Sequence, residues 1–313
     1  MNRLLDGLVL AAAQGRLLLV LGLVAGVLLP GLAQAMKPWL QELVAFLLFL
    51  AALRVGPGRA AGSLRGALPT LGLTLLYQFA LPLGAAAIVT TAGIADTPGA
   101  IAIVLMLAAS PISGGPNIAI LSGADPAPAF RLLILGTALL PLTVIPVFQA
   151  MPTLGEGTAV FLAAGRLLGV IASAAAAAFL LRRTLLRDLG RTGVAALDGV
   201  SAIAMAIVVI GLMSAVGPAL RSVPEVLFGW LALAFAANFG VQIIAATLLR
   251  RVRAGPALPA EAIVAGNRNI ALFLVALPAT TTDQILMFIG CYQIPMYLTP
   301  LILAGFYRRR VSG

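Results

Sequence analysis

The chain has 313 residues, of which 61% are hydrophobic and only 10% charged, with a mean hydropathy of +1.10. A soluble globular domain could not cover its surface with so few polar side chains, so the composition defines an all-α polytopic membrane protein. The net charge of +10 sits almost wholly in short connections between apolar runs, which argues for membrane orientation and against nucleic acid; one cysteine and no histidine leave no internal disulfide, no usual zinc site and no histidine-activated nucleophile.

Residues 1–15 are too short and too interrupted to span, and read as a cytosolic or interfacial lead-in. Apolar runs of spanning length follow at roughly 16–35, 38–54, 67–90, 98–122, 127–150, 157–181, 194–216, 223–249, 258–279 and 284–306. Ala33-Gln-Ala35 imitates a signal-peptide cleavage site, but the region before it is long, contains Asp6 and is followed by many more spans. With the N-terminus inside, the cytosolic side collects Arg3, Arg16, Arg54, Arg59, Arg65, Arg131, Arg182, Arg183, Arg187, Arg191, Arg250, Arg251, Arg253, Arg308, Arg309 and Arg310. The opposite side holds Lys37 and Arg221 beside Asp96, Glu156, Glu225 and Asp283. The expectation is therefore a multi-pass protein of a bacterial inner (plasma) membrane with both termini cytoplasmic.

Ten spans with both ends on one side divide into two sets of five, and the second set must enter from the opposite face, which is the arithmetic of an inverted repeat. An interruption in the ninth span then predicts one in the fourth. The ninth reads Val264-Ala-Gly-Asn-Arg-Asn-Ile-Ala-Leu272, with Gly266, Asn267 and Asn269 loosening the helix around Arg268. An arginine near the bilayer centre costs about 2.5–3.5 kcal/mol on insertion scales, so Arg268 is a functional candidate by default. The fourth reads Ala109-Ser-Pro-Ile-Ser-Gly-Gly-Pro-Asn-Ile118, where two prolines and Gly114-Gly115 cannot sustain helical hydrogen bonding. Helix resuming near Pro116 and near Asn269 would aim free N–H groups inward, suited to an anion. Paired kinks without a ligand are the plainer alternative, since glycine and proline are common in membrane helices.

Gly114-Gly-Pro-Asn117, Gly266-Asn-Arg-Asn269, Lys37-Pro-Trp-Leu40 and Gln78-Phe-Ala-Leu-Pro82 resemble the bile acid:sodium symporter family and its superfamily of bile acid, arsenite and organic anion transporters. The resemblance covers essentially the whole chain, through short motifs. It implies one transporter unit over 1–313, with a panel at about 16–54 and 157–216 and a core at about 67–150 and 223–306. It also implies crossing broken helices 4 and 9, and alternating access with an organic anion bound between core and panel. Sodium-coupled members carry a ninth-span pattern like Glu-Val-Gly-Met-Gln-Asn, whose glutamate falls here on Val264 and whose glutamine falls on Arg268. Hydroxyls expected early in the fifth span fall in Pro128–Leu133, which has none, whereas Gln78, Asn117 and Asn269 are retained.

A cation beside a fixed guanidinium is opposed by several kcal/mol at about 4–5 Å, even at an effective dielectric near 20. An arginine donating to carbonyls left open by the two breaks would fill the ion's structural office permanently. The expected site comprises Arg268, Asn117, Asn269 and Gln78, shaped by Pro116, Gly114, Gly115, Gly266 and Asn267. Gln78, Asn117 and Glu261 are candidates for ion coupling, no metal or cofactor is expected, and bound sodium is left to the runner-up reading of a symporter with unusual ligands.

Glu261 reads as a counter-charge to Arg268, a proton-coupling carboxylate or a solvated headgroup residue. Arg166 snorkels outward or pairs with Glu156, or else faces the cavity and binds the substrate's anionic group. Asp198 reads as interfacial near Arg191, the Asn238 and Gln242 pair as helix packing or, in the alternative, cavity lining, and Tyr292, Gln293 and Tyr297 as wall residues. The function expected is secondary transport of an organic anion, bile-acid-like or a small carboxylate, independent of sodium. The expected partners are that substrate and the bilayer, with the chain a monomer or weak homodimer. A membrane-embedded enzyme lacks a nucleophile or metal constellation, and a channel lacks a ring-lined pore.

Overall fold

The computed structural model describes residues 2–63, 68–187, 189–252 and 255–311, and these form helices and short connections with no strand among them. Arg65 and Arg253, and the side chains of Arg59, Arg308, Arg309 and Arg310, counted above for orientation, lie outside the described residues. In chain order the helices are α1 (Asn2–Ala13), α2 (Gly15–Leu28), α3 (Pro30–Met36), α4 (Leu40–Ser63), α5 (Leu68–Leu75), α6 (Leu81–Thr91), α7 (Pro98–Ala108), α8 (Gly115–Leu121) and α9 (Pro126–Gln149). There follow α10 (Thr158–Thr184), α11 (Arg191–Leu212), α12 (Val216–Ser222), α13 (Pro224–Val252), α14 (Leu258–Gly266), α15 (Phe273–Ala276), α16 (Ala279–Ile302) and α17 (Ala304–Val311).

Seven helical stretches among the described residues are long and apolar enough to cross a membrane: Pro30–Gly58, Leu68–Thr91, Pro126–Gln149, Thr158–Thr184, Arg191–Ser222, Pro224–Val252 and Ala279–Ile302. The bent pair α1–α2 makes an eighth if counted as one span. This is a multi-pass membrane protein. The lead-in is itself helical and turns by 78° into α2. The first expected span, 16–35, stops instead at Leu28, because Pro30 cannot donate to the preceding turn; the next long stretch starts at Pro30 rather than 38.

Two compact units divide the chain, Met1–Gly62 with Gly169–Leu227 and Ser63–Leu168 with Phe228–Gly313. In the first, small residues let backbones touch. A Cβ on Gly22 would lie 2.7 Å from the Ala206 carbonyl oxygen, and one on Gly26 would lie 2.6 Å from the Met213 Cβ. These contacts climb together along both chains, so α2 and α11 run parallel. Leu40 against Gly211 and Arg54 against Asp198 step in opposite senses, so α4 and α11 run antiparallel. Asp198 is thus not partnered by Arg191: it forms a two-pronged ion pair with Arg54, Nε to Oδ1 at 2.6 Å and Nη2 to Oδ2 at 3.2 Å, because the antiparallel register brings the two together.

In the second unit α9 packs against α5, α8 and α14, with the Phe148 and Phe273 rings 5.8 Å apart. Gly22→Leu should therefore lower Tm in detergent, at a cost of about 1–3 kcal/mol for overpacking. Gly72→Ala, where a Cβ meets nothing within 4 Å, should leave Tm unchanged or raise it.

Candidate functional site

The two expected interruptions meet. Helix α7 stops at Ala108, Ala109 is extended (φ −62°, ψ 152°), and the chain resumes as α8 at Gly115. Helix α14 stops at Gly266, where Asn267 (φ −102°, ψ 88°) and Asn269 (φ −90°, ψ 65°) leave helical geometry. The freed backbones pair antiparallel at Pro111 and Arg268: the Ile112 N–H donates to the Asn267 carbonyl at 3.0 Å, and the Asn269 N–H donates to the Ser110 carbonyl at 2.8 Å. Gly115 is packed against Val264, whose Cγ1 would lie 3.0 Å from an added Cβ. A Cβ on Gly266 would collide with the Asn238 carbonyl, so glycine is required by the close approach of α13.

Arg268 is 1% exposed. Its Nη2 donates to the carbonyls of Tyr77 at 2.6 Å and Leu107 at 3.0 Å, and its Cζ lies 5.4 Å from the centre of the Tyr77 ring. Both carbonyls are open for a local reason. The helical donor to Leu107 would be residue 111, a proline without an N–H. At Tyr77 the chain makes one π turn, Leu76–Ala80, in which the Leu81 N–H donates to Leu76; in that register the donor to Tyr77 would be Pro82. One guanidinium nitrogen thus takes the place of two N–H groups that prolines removed.

A polar network pins the second break from the other side. Asn238 Nδ2 donates to the Gly266 carbonyl at 2.6 Å, and the Tyr292 hydroxyl donates to the same carbonyl while accepting from the Arg268 N–H at 3.3 Å. Gln242 Nε2 donates to Asn238 Oδ1 at 2.7 Å and to the Thr299 hydroxyl at 3.1 Å, and the Tyr307 hydroxyl donates to Gln242 Oε1 at 3.0 Å. Asn267 Nδ2 donates to the Ile263 carbonyl at 2.7 Å.

Of the expected residues, Arg268, Asn267, Gly266, Gly115 and half-buried Asn269 lie at the crossing. Buried Gln78 follows Tyr77 and donates to the Gly136 carbonyl at 3.1 Å; its Oε1, and Nε and Nη1 of Arg268, have no hydrogen-bond partner among the described residues. Pro116 is buried in the first turn of α8, Gly114 precedes it, and Asn117 is exposed with no side-chain hydrogen bond among the described residues. Arg166 stands exposed on α10 and forms no ion pair with Glu156. Glu261 is buried rather than solvated, and it is not the counter-charge to Arg268, because the helix break at Gly266 removes the shared face; its backbone carbonyl accepts from the Tyr77 hydroxyl at 3.3 Å.

The resumed helices are too short to act as anion-binding termini. Seven residues form α8 and four form α15, and the leading N–H groups are spent locally, Gly115 on Ile112 and Leu272 on Asn269. The Tyr77 and Leu107 carbonyls, Thr299, Tyr307 and the hydroxyl of Thr137, 3.4 Å from that of Ser110, escaped the sequence reading. The positions of Pro82 and Pro111 were the available signal for the two carbonyls.

No protein-family model matches the chain, and no curated protein compared with it matches either.

Arg268→Met should destabilise the folded protein by about 2–4 kcal/mol, since two buried carbonyls lose their donors. Pro111→Ala returns the N–H that a continued α7 would offer to the Leu107 carbonyl, so the double variant should be more stable than the two single costs predict, and strict additivity of the Tm losses would refute this role for the proline.

Proposed function

We propose that this chain is a secondary transporter of an organic anion, working by alternating access without sodium, with Arg268 in the structural place of a bound cation. The observation that carries the reading is the Nη2 group of Arg268 joined to carbonyls of two proline-interrupted segments at the crossing of two broken helices. Paired breaks in the two halves of a membrane chain are the best sequence-level pointer to a transporter's centre. Among the described residues the guanidinium has no carboxylate within ion-pair distance, so the centre keeps a positive charge suited to an anionic guest.

Helix directions support ten crossings in two inverted sets. Between α4 and α11 lie three uninterrupted crossing helices, which alone would leave α4 and α11 parallel; they run antiparallel, as they must if 98–121 also crosses. Between 98–121 and 258–276 lie four crossings, which makes the two segments oppositely directed, in keeping with their antiparallel pairing. With α2 and both broken segments added to the seven long stretches the total is ten, and both termini share the arginine-rich, cytoplasmic face of the plasma membrane. The resemblance to bile acid:sodium symporters carries the substrate class, a bile-acid-like or small carboxylate. A sodium-coupled mechanism remains the second reading, favoured by the unpartnered Oε1 of Gln78.

Uptake into proteoliposomes of a panel of organic anions should saturate and be unchanged when sodium is replaced by potassium or choline. Arg268→Gln with Val264→Glu should create a sodium response absent from the native protein. Sodium stimulation of the native protein would move the assignment to the symporter. In a Cys291→Ala background, cysteines placed at Asp96 and at Ala124 should react with an impermeant maleimide from opposite faces. Labelling of both from one face would make 98–121 a re-entrant loop.

A further inference from the structure

We propose that the proline pairs of α9 and α16 are two matching hinges, at which the last third of each helix bends when the protein changes conformation. Both helices are 24 residues long, and both carry two prolines five positions apart towards their C-terminal ends, Pro141 and Pro146 in α9 and Pro295 and Pro300 in α16. Each pair encloses a threonine that bonds back to the preceding turn. The Thr143 hydroxyl donates to the Leu140 carbonyl at 3.2 Å, and the Thr299 hydroxyl to the Pro295 carbonyl at 3.1 Å. A proline removes a helical N–H and crowds the turn before it, and threonine back-bonding favours a bend in the same place. Both helices nevertheless run unbroken through these positions, so the weak points are present and unused in this structure.

The prolines stand where bending matters. The helical donors to the Thr137 and Cys291 carbonyls would be residues 141 and 295, both prolines without an N–H. The Thr137 hydroxyl lies 3.4 Å from that of Ser110 in the first break, and Tyr292, next to Cys291, donates to the Gly266 carbonyl at the second. Each hinge therefore begins level with one of the two breaks. The segments beyond the hinges lie at opposite ends of 258–276: Phe148 of α9 packs on Phe273 after the break, whereas α16 leads into α17, which packs against α14 before it. With the ten crossings proposed above, the first end faces outward and the second faces the cytoplasm. Each access route then has one hinge, an assignment that rests on the transport reading.

The two ends are held differently. Phe148 is fully buried against an aromatic ring, while Thr299 accepts from Gln242 Nε2 at 3.1 Å and stands 3.4 Å from Asn267 Oδ1. Thr299 is thus the latch of the α16 hinge. A kink of about 30° at the first proline of either pair would carry the helix end about 5–6 Å sideways.

The test is pulsed electron paramagnetic resonance on the full chain in nanodiscs, in a Cys291→Ala background. One pair of spin labels is carried by Gln149→Cys and Ile88→Cys, the other by Leu301→Cys and Leu248→Cys. Thr299→Val removes the hydroxyl and keeps the shape, so it should extend the Leu301–Leu248 distances by about 5 Å and leave the Gln149–Ile88 pair unchanged. Adding Pro295→Ala and Pro300→Ala should abolish that extension. Pro141→Ala with Pro146→Ala should narrow the Gln149–Ile88 distribution alone. An extension that survives without the prolines, no extension in Thr299→Val, or an unaltered Gln149–Ile88 distribution would overturn the paired hinges. Alanine at all four prolines should slow organic-anion uptake by about fivefold or more without lowering Tm, and uptake at the native rate would also overturn them. The expected distances without uptake of any anion would support the hinges and count against the transport reading alone.

Discussion

Two helices that lose their hydrogen bonding inside a membrane protein leave carbonyl groups for which the surroundings offer no water, and the second unit depends on how those groups are satisfied. Here the solution is one side-chain nitrogen. Nη2 of Arg268 reaches Tyr77 and Leu107, residues whose helical donors are absent because Pro82 and Pro111 occupy the donor positions. A guanidinium suits the task because it is planar, permanently charged and rich in donors; the carbonyl dipoles and the Tyr77 ring disperse its charge in return. The backbone pairing of Ser110–Ile112 with Asn267–Asn269 then holds the crossing without further charged groups.

Around this contact the polar groups fall into two sets. Asn238, Gln242, Thr299, Tyr292 and Tyr307 form a closed network in which the Gly266 carbonyl receives two donors, so the second break is fastened to α13, α16 and α17. Gln78 Oε1 and the Nε and Nη1 of Arg268 are buried without partners among the described residues. Closed networks rigidify, whereas unsatisfied buried groups are rare enough to mark functional positions. That contrast is why the transport reading centres on Arg268 and Gln78 rather than on the larger set of amides.

The first unit is held by different means. Its close contacts run through Gly22 and Gly26, which let α2 and α11 approach to backbone distance, and through Gly211, which makes room for the Leu40 side chain of α4. Membrane helices have no hydrophobic driving force between them, so packing of small residues does the work that core burial does in water.

Composition alone determined that the chain is a multi-pass membrane protein, because no other environment accommodates so much apolar surface. The two breaks were also legible, since proline, Gly114-Gly115 and the Gly266–Asn269 run are local obstacles to helix formation. The placement of Arg268 in an apolar segment marked it out in the same way. What the sequence could not supply was the identity of partners distant along the chain. Asp198 pairs with Arg54 and not with nearby Arg191, and Glu261 does not answer Arg268, because register and helix direction decide those contacts. Asn238 and Gln242 belong to the network under the break, and Arg166 stands apart from it, for the same reason. Local chemistry determined where the helices fail; only the tertiary structure decided which groups repair the failure, because a hydrogen bond needs two atoms within about 3 Å and sequence distance does not measure that.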